Sequence, residues 1–180
     1  MTRAFFPWIG GATLAGCAVF FAEPLRLYVL LGVMLFFPLL DRHWRLPDFP
    51  HHPQNIAAWL GLLLATLALL WWQPRHIEYA LTTLLTAALP EEWFFRAYFL
   101  RRIEEARCKH LWCANIVTSL VFCGLHGLTR GWGVGLSVFV PSLFYGWLYQ
   151  RTRDVPLLVL VHALSNLLFV IFLSAPLYVQ

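Results

Sequence analysis

Seven apolar runs separated by short polar connectors leave this chain one class of fold. They cover residues 4–22, 25–40, 55–72, 77–100, 111–128, 134–150 and 157–173. Stretches of this length with so few charges match the hydrocarbon thickness of a bilayer. In lipid the backbone can satisfy its own hydrogen bonds only as a helix or a closed barrel, and unbroken apolar runs are helical. Composition agrees: the 180 residues are 60% hydrophobic and 12% charged, against roughly 45–50% and 25% in soluble domains. The expectation is an all-α, polytopic transmembrane helix bundle of about seven spans, forming a single domain over residues 1–180.

The run at 77–100 contains a contradiction that points to function. Glu91, Glu92 and Arg96 lie inside it, directly after Pro90. Placing one charge at the centre of a membrane helix costs at least ~2.5–3.5 kcal/mol. Glu92 and Arg96 are four apart, share a helix face and can neutralise each other. Glu91 points about 100° away and has no partner in the stretch, so it is the candidate for chemistry, with Glu92 and Arg96 as support. Pro90 removes a backbone hydrogen bond and is expected to kink or break the helix there, as is tolerated beside a cavity.

Other spans add polar groups at membrane depth. The fifth carries His126. The seventh carries His162 and Asn166, again four apart and on one face. A carboxylate and a histidine can orient and deprotonate water, while a second histidine and an asparagine can donate hydrogen bonds to an oxyanion. That set supports peptide-bond hydrolysis by activated water without a covalent intermediate. Ser119, Ser137 and Ser142 read as helix-packing residues, as do the glycines of the fifth and sixth spans.

Three ordered boxes carry a family resemblance: Glu-Glu-x-x-x-Arg at 91–96, Phe-x-x-x-His at 122–126 and His-x-x-x-Asn at 162–166. Together with Phe144-x-Gly146 they resemble the CAAX-protease and bacteriocin-processing family of membrane proteins, which includes the type II CAAX prenyl endopeptidases. The resemblance runs over about 86–169. It implies a glutamic-type intramembrane endopeptidase, with Glu91 the water-activating base, His126 its partner, His162 and Asn166 the oxyanion site, and Glu92 and Arg96 supporting. It also implies a membrane-associated peptide or protein substrate, CAAX-type or C-terminally tagged. The compact size is similar to bacterial members, which places the chain in a bacterial inner (plasma) membrane.

Competing readings use the same residues. Glu91, Glu92, His126 and His162 include common zinc ligands, although no His-Glu-x-x-His is present and Arg96 competes for Glu92. No cofactor is expected, with zinc the alternative. A non-enzymatic membrane immunity or peptide-binding protein is the other. Ser165 lacks a separate base, and no span contains the Asp that an aspartyl protease needs. The +4 net charge reflects residues that set topology, so no nucleic-acid partner is expected. The four cysteines, Cys17, Cys108, Cys113 and Cys123, form no Cys-x-x-Cys pair, and disulfides are not expected.

Nine Lys and Arg fall on one side of the seven-span arrangement and three on the other, which predicts a cytoplasmic N-terminus. The start, Met1-Thr2-Arg3 before an apolar run, mimics a signal peptide, but no small-x-small site closes it before Glu23-Pro24, so it reads as a first span or signal anchor. The connector at 41–54, with three prolines and three histidines, reads as an irregular surface loop, and the charged stretch at 101–110 as a short interfacial helix. One tension remains. At 1.5 Å per residue, His162 lies ~8 Å and His126 ~22 Å from the same edge, yet they should meet at one water. Either the fifth helix starts later than Leu111 or helices tilt and break around the cavity.

Overall fold

The computed structural model describes residues 5–47, 53–106 and 111–173. Among them every regular element is helical. Helices α1 (Phe6–Phe20), α2 (Leu25–Leu40) and α3 (Pro53–Trp72) come first. A 3-10 turn at Pro74–His76 then opens one long composite helix. Its pieces are α4 (Ile77–Thr83), a π-helical segment π1 (Leu84–Ala88), α5 (Leu89–Glu92), a second π segment π2 (Trp93–Leu100) and α6 (Arg101–Ala106). Helices α7 (Leu111–Arg130), α8 (Trp132–Ser137), α9 (Phe139–Thr152) and α10 (Val155–Phe172) follow.

The apolar runs became helices where the sequence places them, and α2 keeps the expected bounds. By length and apolar composition, three helices among the described residues are able to cross a membrane: Gln54–Trp72, Trp112–Arg130 and Val155–Phe172. Phe6–Phe20 and Leu25–Leu40 are apolar but shorter.

The composite fourth helix is the axis of the bundle. Residues 94–100 are all 0% exposed, because α2, α7, α9 and α10 pack around π2. A helix that is apolar all round belongs in such a position. Pro90 interrupts it without ending it. The residues flanking α5 keep right-handed helical dihedrals, from Ala88 (φ −57°, ψ −49°) to Trp93 (φ −59°, ψ −51°). The interruption takes the form of π widening on both sides. A proline lacks an N–H and its ring crowds the carbonyl one turn back, and an i→i+5 bulge makes room for both defects. The charged stretch after Leu100 is not a separate interfacial helix. Arg101 is helical (φ −59°, ψ −42°), and α6 continues the same rod; residues 107–110 lie outside the described set.

The sixth run differs most from expectation. It is two helices, broken at Val138 (φ −81°, ψ −1°). Gly131 turns the chain out of α7 with φ +92°, a conformation open to glycine. α8 then folds back onto α7. A Cβ on Gly135 would lie 2.8 Å from the Cys123 carbonyl oxygen and from the Gly127 nitrogen, so the two backbones touch.

The connector after α2 is not a surface loop over its first residues. Asp41 and Trp44 are buried. Arg102 Nε donates to Asp41 Oδ2 at 2.9 Å, and Trp44 Nε1 donates to the Ala97 carbonyl of π2 at 2.9 Å. The pair His51-His52 lies outside the described residues. α3 stands at the periphery against α10, tied by a Trp59 Nε1 to Asp154 Oδ2 bond of 3.0 Å and a Trp72–Phe172 ring stack.

These contacts set the depth of His162 against the composite helix. α7 does begin at Leu111, but the α9–α10 turn is not level with the edge assumed for it. Arg153 Nη1 meets Glu104 Oε2 at 2.7 Å, and Gln150 Nε2 donates to Glu104 Oε1 at 2.7 Å. α10 therefore starts beside α6, beyond Leu100. Between Glu104 and Glu92 the rod is mostly π, which winds more residues into each turn and advances less per residue. Nine residues from Arg153 to His162 thus keep level with twelve from Glu104 to Glu92.

The α7–α8 contact gives a test of this fold. Gly135→Val should push α8 off α7 and lower stability by about 1–3 kcal/mol, the usual cost of overpacking. A thermal melt in detergent reads it, and an unchanged melting temperature would contradict the close approach.

Candidate active site

The composite helix supplies Glu91, Glu92 and Arg96, α7 supplies His126, and α10 supplies His162 and Asn166. Glu92 and Arg96 form the expected pair, with Arg96 Nη1 3.3 Å from Glu92 Oε1 and both side chains at 0% exposure. The same Oε1 lies 2.7 Å from His162 Nδ1. Arg96 Nη2 donates to the Ser142 hydroxyl at 2.8 Å and to the Ser142 carbonyl at 3.2 Å. Its guanidinium also lies over the Phe122 ring at 4.8 Å, a cation–π contact that replaces part of the lost hydration.

Glu91 stands apart from this network and faces both histidines. Its Oε1 is 4.0 Å from His126 Nε2, and its Oε2 is 3.9 Å from His162 Nε2. All three side chains are buried, at 8%, 7% and 6% exposure. His126 Nδ1 lies 3.1 Å from the Phe122 carbonyl oxygen. A carbonyl can only accept, so Nδ1 carries the hydrogen of that bond, and on the neutral ring Nε2 keeps a lone pair toward Glu91. The His162 bond to a Glu92 carboxylate paired with Arg96 has the same sense. Tyr145 stacks on the His162 ring with centroids 4.9 Å apart, and the Phe122 ring packs tilted against His126 at 4.3 Å. Each ring is thus fixed at one nitrogen and against one face.

Five of the six residues singled out from sequence come together. Asn166 makes no hydrogen bond with them among the described residues. It is half-buried, one turn beyond His162, and its amide has no hydrogen-bond partner among the described residues. Sequence reasoning missed Tyr145, and it read Ser119 and Ser142 as packing residues. The position of Tyr145 one residue after Phe144 in the Phe-x-Gly box was the available signal. Among the described residues, no group of three or more His, Cys, Asp or Glu side chains is arranged as a metal site. A separate pocket of about 430 Å³ lies at the charged end, lined by Pro47, Arg101, Glu104, Glu105 and Arg153 among others; its acids and bases pair with each other.

The family model described as type II CAAX prenyl endopeptidase Rce1-like matches residues 71–168, more than half of the chain. The chain belongs to this family. The match spans the composite helix, α7, α8, α9 and α10 as far as Leu168, so it takes in every residue of the site. No curated protein and no solved structure matches the chain. Membership makes the chain a CAAX-protease-type membrane protein acting in general on membrane-associated protein substrates, and its apolar helices fit that setting.

The burial of Arg96 gives the second test. Arg96→Met would leave Glu92 as an uncompensated buried charge beside His162. Breaking a buried pair from one side costs about 3–5 kcal/mol. The variant should melt far below wild type, and the double change Arg96→Met with Glu92→Leu should recover much of the loss.

Proposed function

We propose that this chain is a glutamic-type intramembrane endopeptidase. It hydrolyses a peptide bond of a membrane-associated, CAAX-type or C-terminally tagged protein by activating water. The observation that carries this reading is the Glu91 carboxylate facing two imidazole Nε2 atoms, at 4.0 and 3.9 Å, inside a buried site. A water held there gives one proton to Glu91, with His126 Nε2 accepting its second hydrogen. The hydroxide oxygen attacks the scissile carbonyl carbon. His162, once it has taken a proton from solvent at Nε2, gives Nδ1–H to Glu92 and Nε2–H to the developing oxyanion and keeps that proton through the turnover, and Asn166 is the further donor. The proton on Glu91 then passes to the amide nitrogen, and the C–N bond breaks. Arg96 keeps Glu92 in place throughout.

The charged end formed by Arg102 with Asp41 and Arg153 with Glu104 is assigned to the cytoplasm of a bacterial inner membrane, with the N-terminus on that side, because basic residues gather there.

Glu91→Gln is the deciding variant. It keeps the size of the side chain, so the protein should insert and melt like wild type while processing of a co-expressed substrate stops. Normal processing by that variant would defeat the assignment of the chemistry to this site. Purified activity should withstand chelation. Loss on chelation, restored by zinc, would replace the metal-free mechanism by one in which Glu91, His126 and His162 hold the ion.

A further inference from the structure

We infer that Ser142 on α9 is a positioning residue for this site: it holds Arg96 so that Glu92 stays on the Nδ1 side of His162. The inference rests on the hydrolytic reading above for its catalytic consequence, but its geometry stands separately.

An arginine beside a carboxylate usually forms two parallel hydrogen bonds, the strongest arrangement open to the pair. Here the fork is divided. Nη1 reaches Glu92 Oε1 at only 3.3 Å, while Nη2 is committed to the Ser142 hydroxyl at 2.8 Å. Glu92 Oε2 is buried without a hydrogen-bond partner. The shorter contact fixes the guanidinium, and it is the contact to Ser142. With Arg96 held back, Oε1 is left for His162 at 2.7 Å. Without the Ser142 hydroxyl, Nη2 keeps only the longer 3.2 Å bond to the Ser142 carbonyl, and the guanidinium can turn toward both oxygens of Glu92 and draw Oε1 from the imidazole.

The Ser142 hydroxyl is itself aimed. It donates to Ser119 Oγ at 3.0 Å, so its lone pairs face Arg96. Ser119 Oγ lies 3.4 Å from Asn115 Oδ1, and Asn115 Nδ2 donates to the Leu143 carbonyl at 2.9 Å. Each donor points away from Arg96, and hydrogen bonds in such a chain polarise one another. Gly146 is part of the arrangement, because a Cβ there would overlap the Asn115 amide. The polar line therefore runs from α7 through α9 and the composite helix to His162 on α10. Mere packing serines need no such common direction.

The test uses full-length protein in detergent with ¹⁵N-labelled histidine. The His162 Nδ1–H resonance is assigned by its loss in His162→Gln. In Ser142→Ala that resonance should move upfield toward an unbonded imidazole. The kcat for a processed substrate should fall about 10-fold, as for loss of an outer partner that orients a reacting group, with KM unchanged. Ser142→Thr, which keeps the hydroxyl, should restore the resonance. If Ser142→Ala does not fold, Ser119→Ala removes the acceptor that aims the hydroxyl and should move the same signal in the same direction. A folded variant of either kind with the wild-type resonance overturns the inference. Glu91→Gln runs in parallel. If it still processes substrate, the hydrolytic reading falls and takes the catalytic role of Ser142 with it, whatever the resonance does.

Discussion

A carboxylate and a guanidinium at zero exposure in the middle of an apolar bundle impose conditions on everything around them. Glu92 and Arg96 are tolerable only if each is paired and bonded, since the desolvation of two ions exceeds their mutual attraction unless the geometry is good. The bundle meets those conditions in part, from four directions, and leaves Glu92 Oε2, Arg96 Nε and Arg96 Nη1 buried without a hydrogen bond. The composite helix brings the pair together, α10 brings His162 to Glu92, α9 brings Ser142 to Arg96, and α7 brings the Phe122 ring over the guanidinium. None of these partners can leave without exposing a buried charge. The same contacts that make the pair bearable therefore hold four helices in register.

Much of this arrangement was legible in the sequence. Helical runs follow from apolar length, and the pairing of Glu92 with Arg96 follows from their spacing. The convergence of Glu91, His126 and His162 follows from the cost of scattering polar groups among apolar helices. What escaped depends on long-range contacts that spacing does not encode. Pro90 marks a disturbance, but whether a helix breaks or widens there is decided by the packing around it. Asp41 and Trp44 sit in a proline-rich connector that looks solvated, and only Arg102 and the Ala97 carbonyl, some fifty to sixty residues further on, explain their burial. The division of the sixth run at Val138 goes with α8 folding back onto α7, where Gly135 lies directly against the α7 backbone. That glycine looks the same in sequence as any small residue in a span.

The π segments connect these points. A strictly α-helical rod would set Glu91, Glu92 and Arg96 at a depth and rotation fixed by 1.5 Å and 100° per residue. Widening on both sides of α5 changes both quantities locally, and π bulges recur at functional sites for this reason. Here the widening accommodates Pro90 and brings Glu92 level with a histidine only seven residues into α10. The contact between Trp44 Nε1 and the Ala97 carbonyl lies within π2, where a side chain from the connector meets a backbone group of the widened helix. The connector and the defect therefore belong to one design.

The hydrogen-bond sense at the two histidines limits what the site can hold. His126 spends Nδ1 on a backbone carbonyl and His162 spends it on Glu92. With neutral rings, the space between them and Glu91 is bordered by two lone pairs and a carboxylate, and so by acceptors alone. Such a space attracts a donor. Water offers two hydrogens and keeps its oxygen lone pairs for attack, whereas a peptide N–H offers one and brings no nucleophile. An oxyanion is repelled until a ring takes up a proton and Nε2 becomes a donor. Under the hydrolytic reading, binding of water and stabilisation of the intermediate are then successive states of the same few atoms. Their order is set by where the proton sits, which is why the fixed Glu92–His162 contact matters more than its distance from the scissile bond suggests.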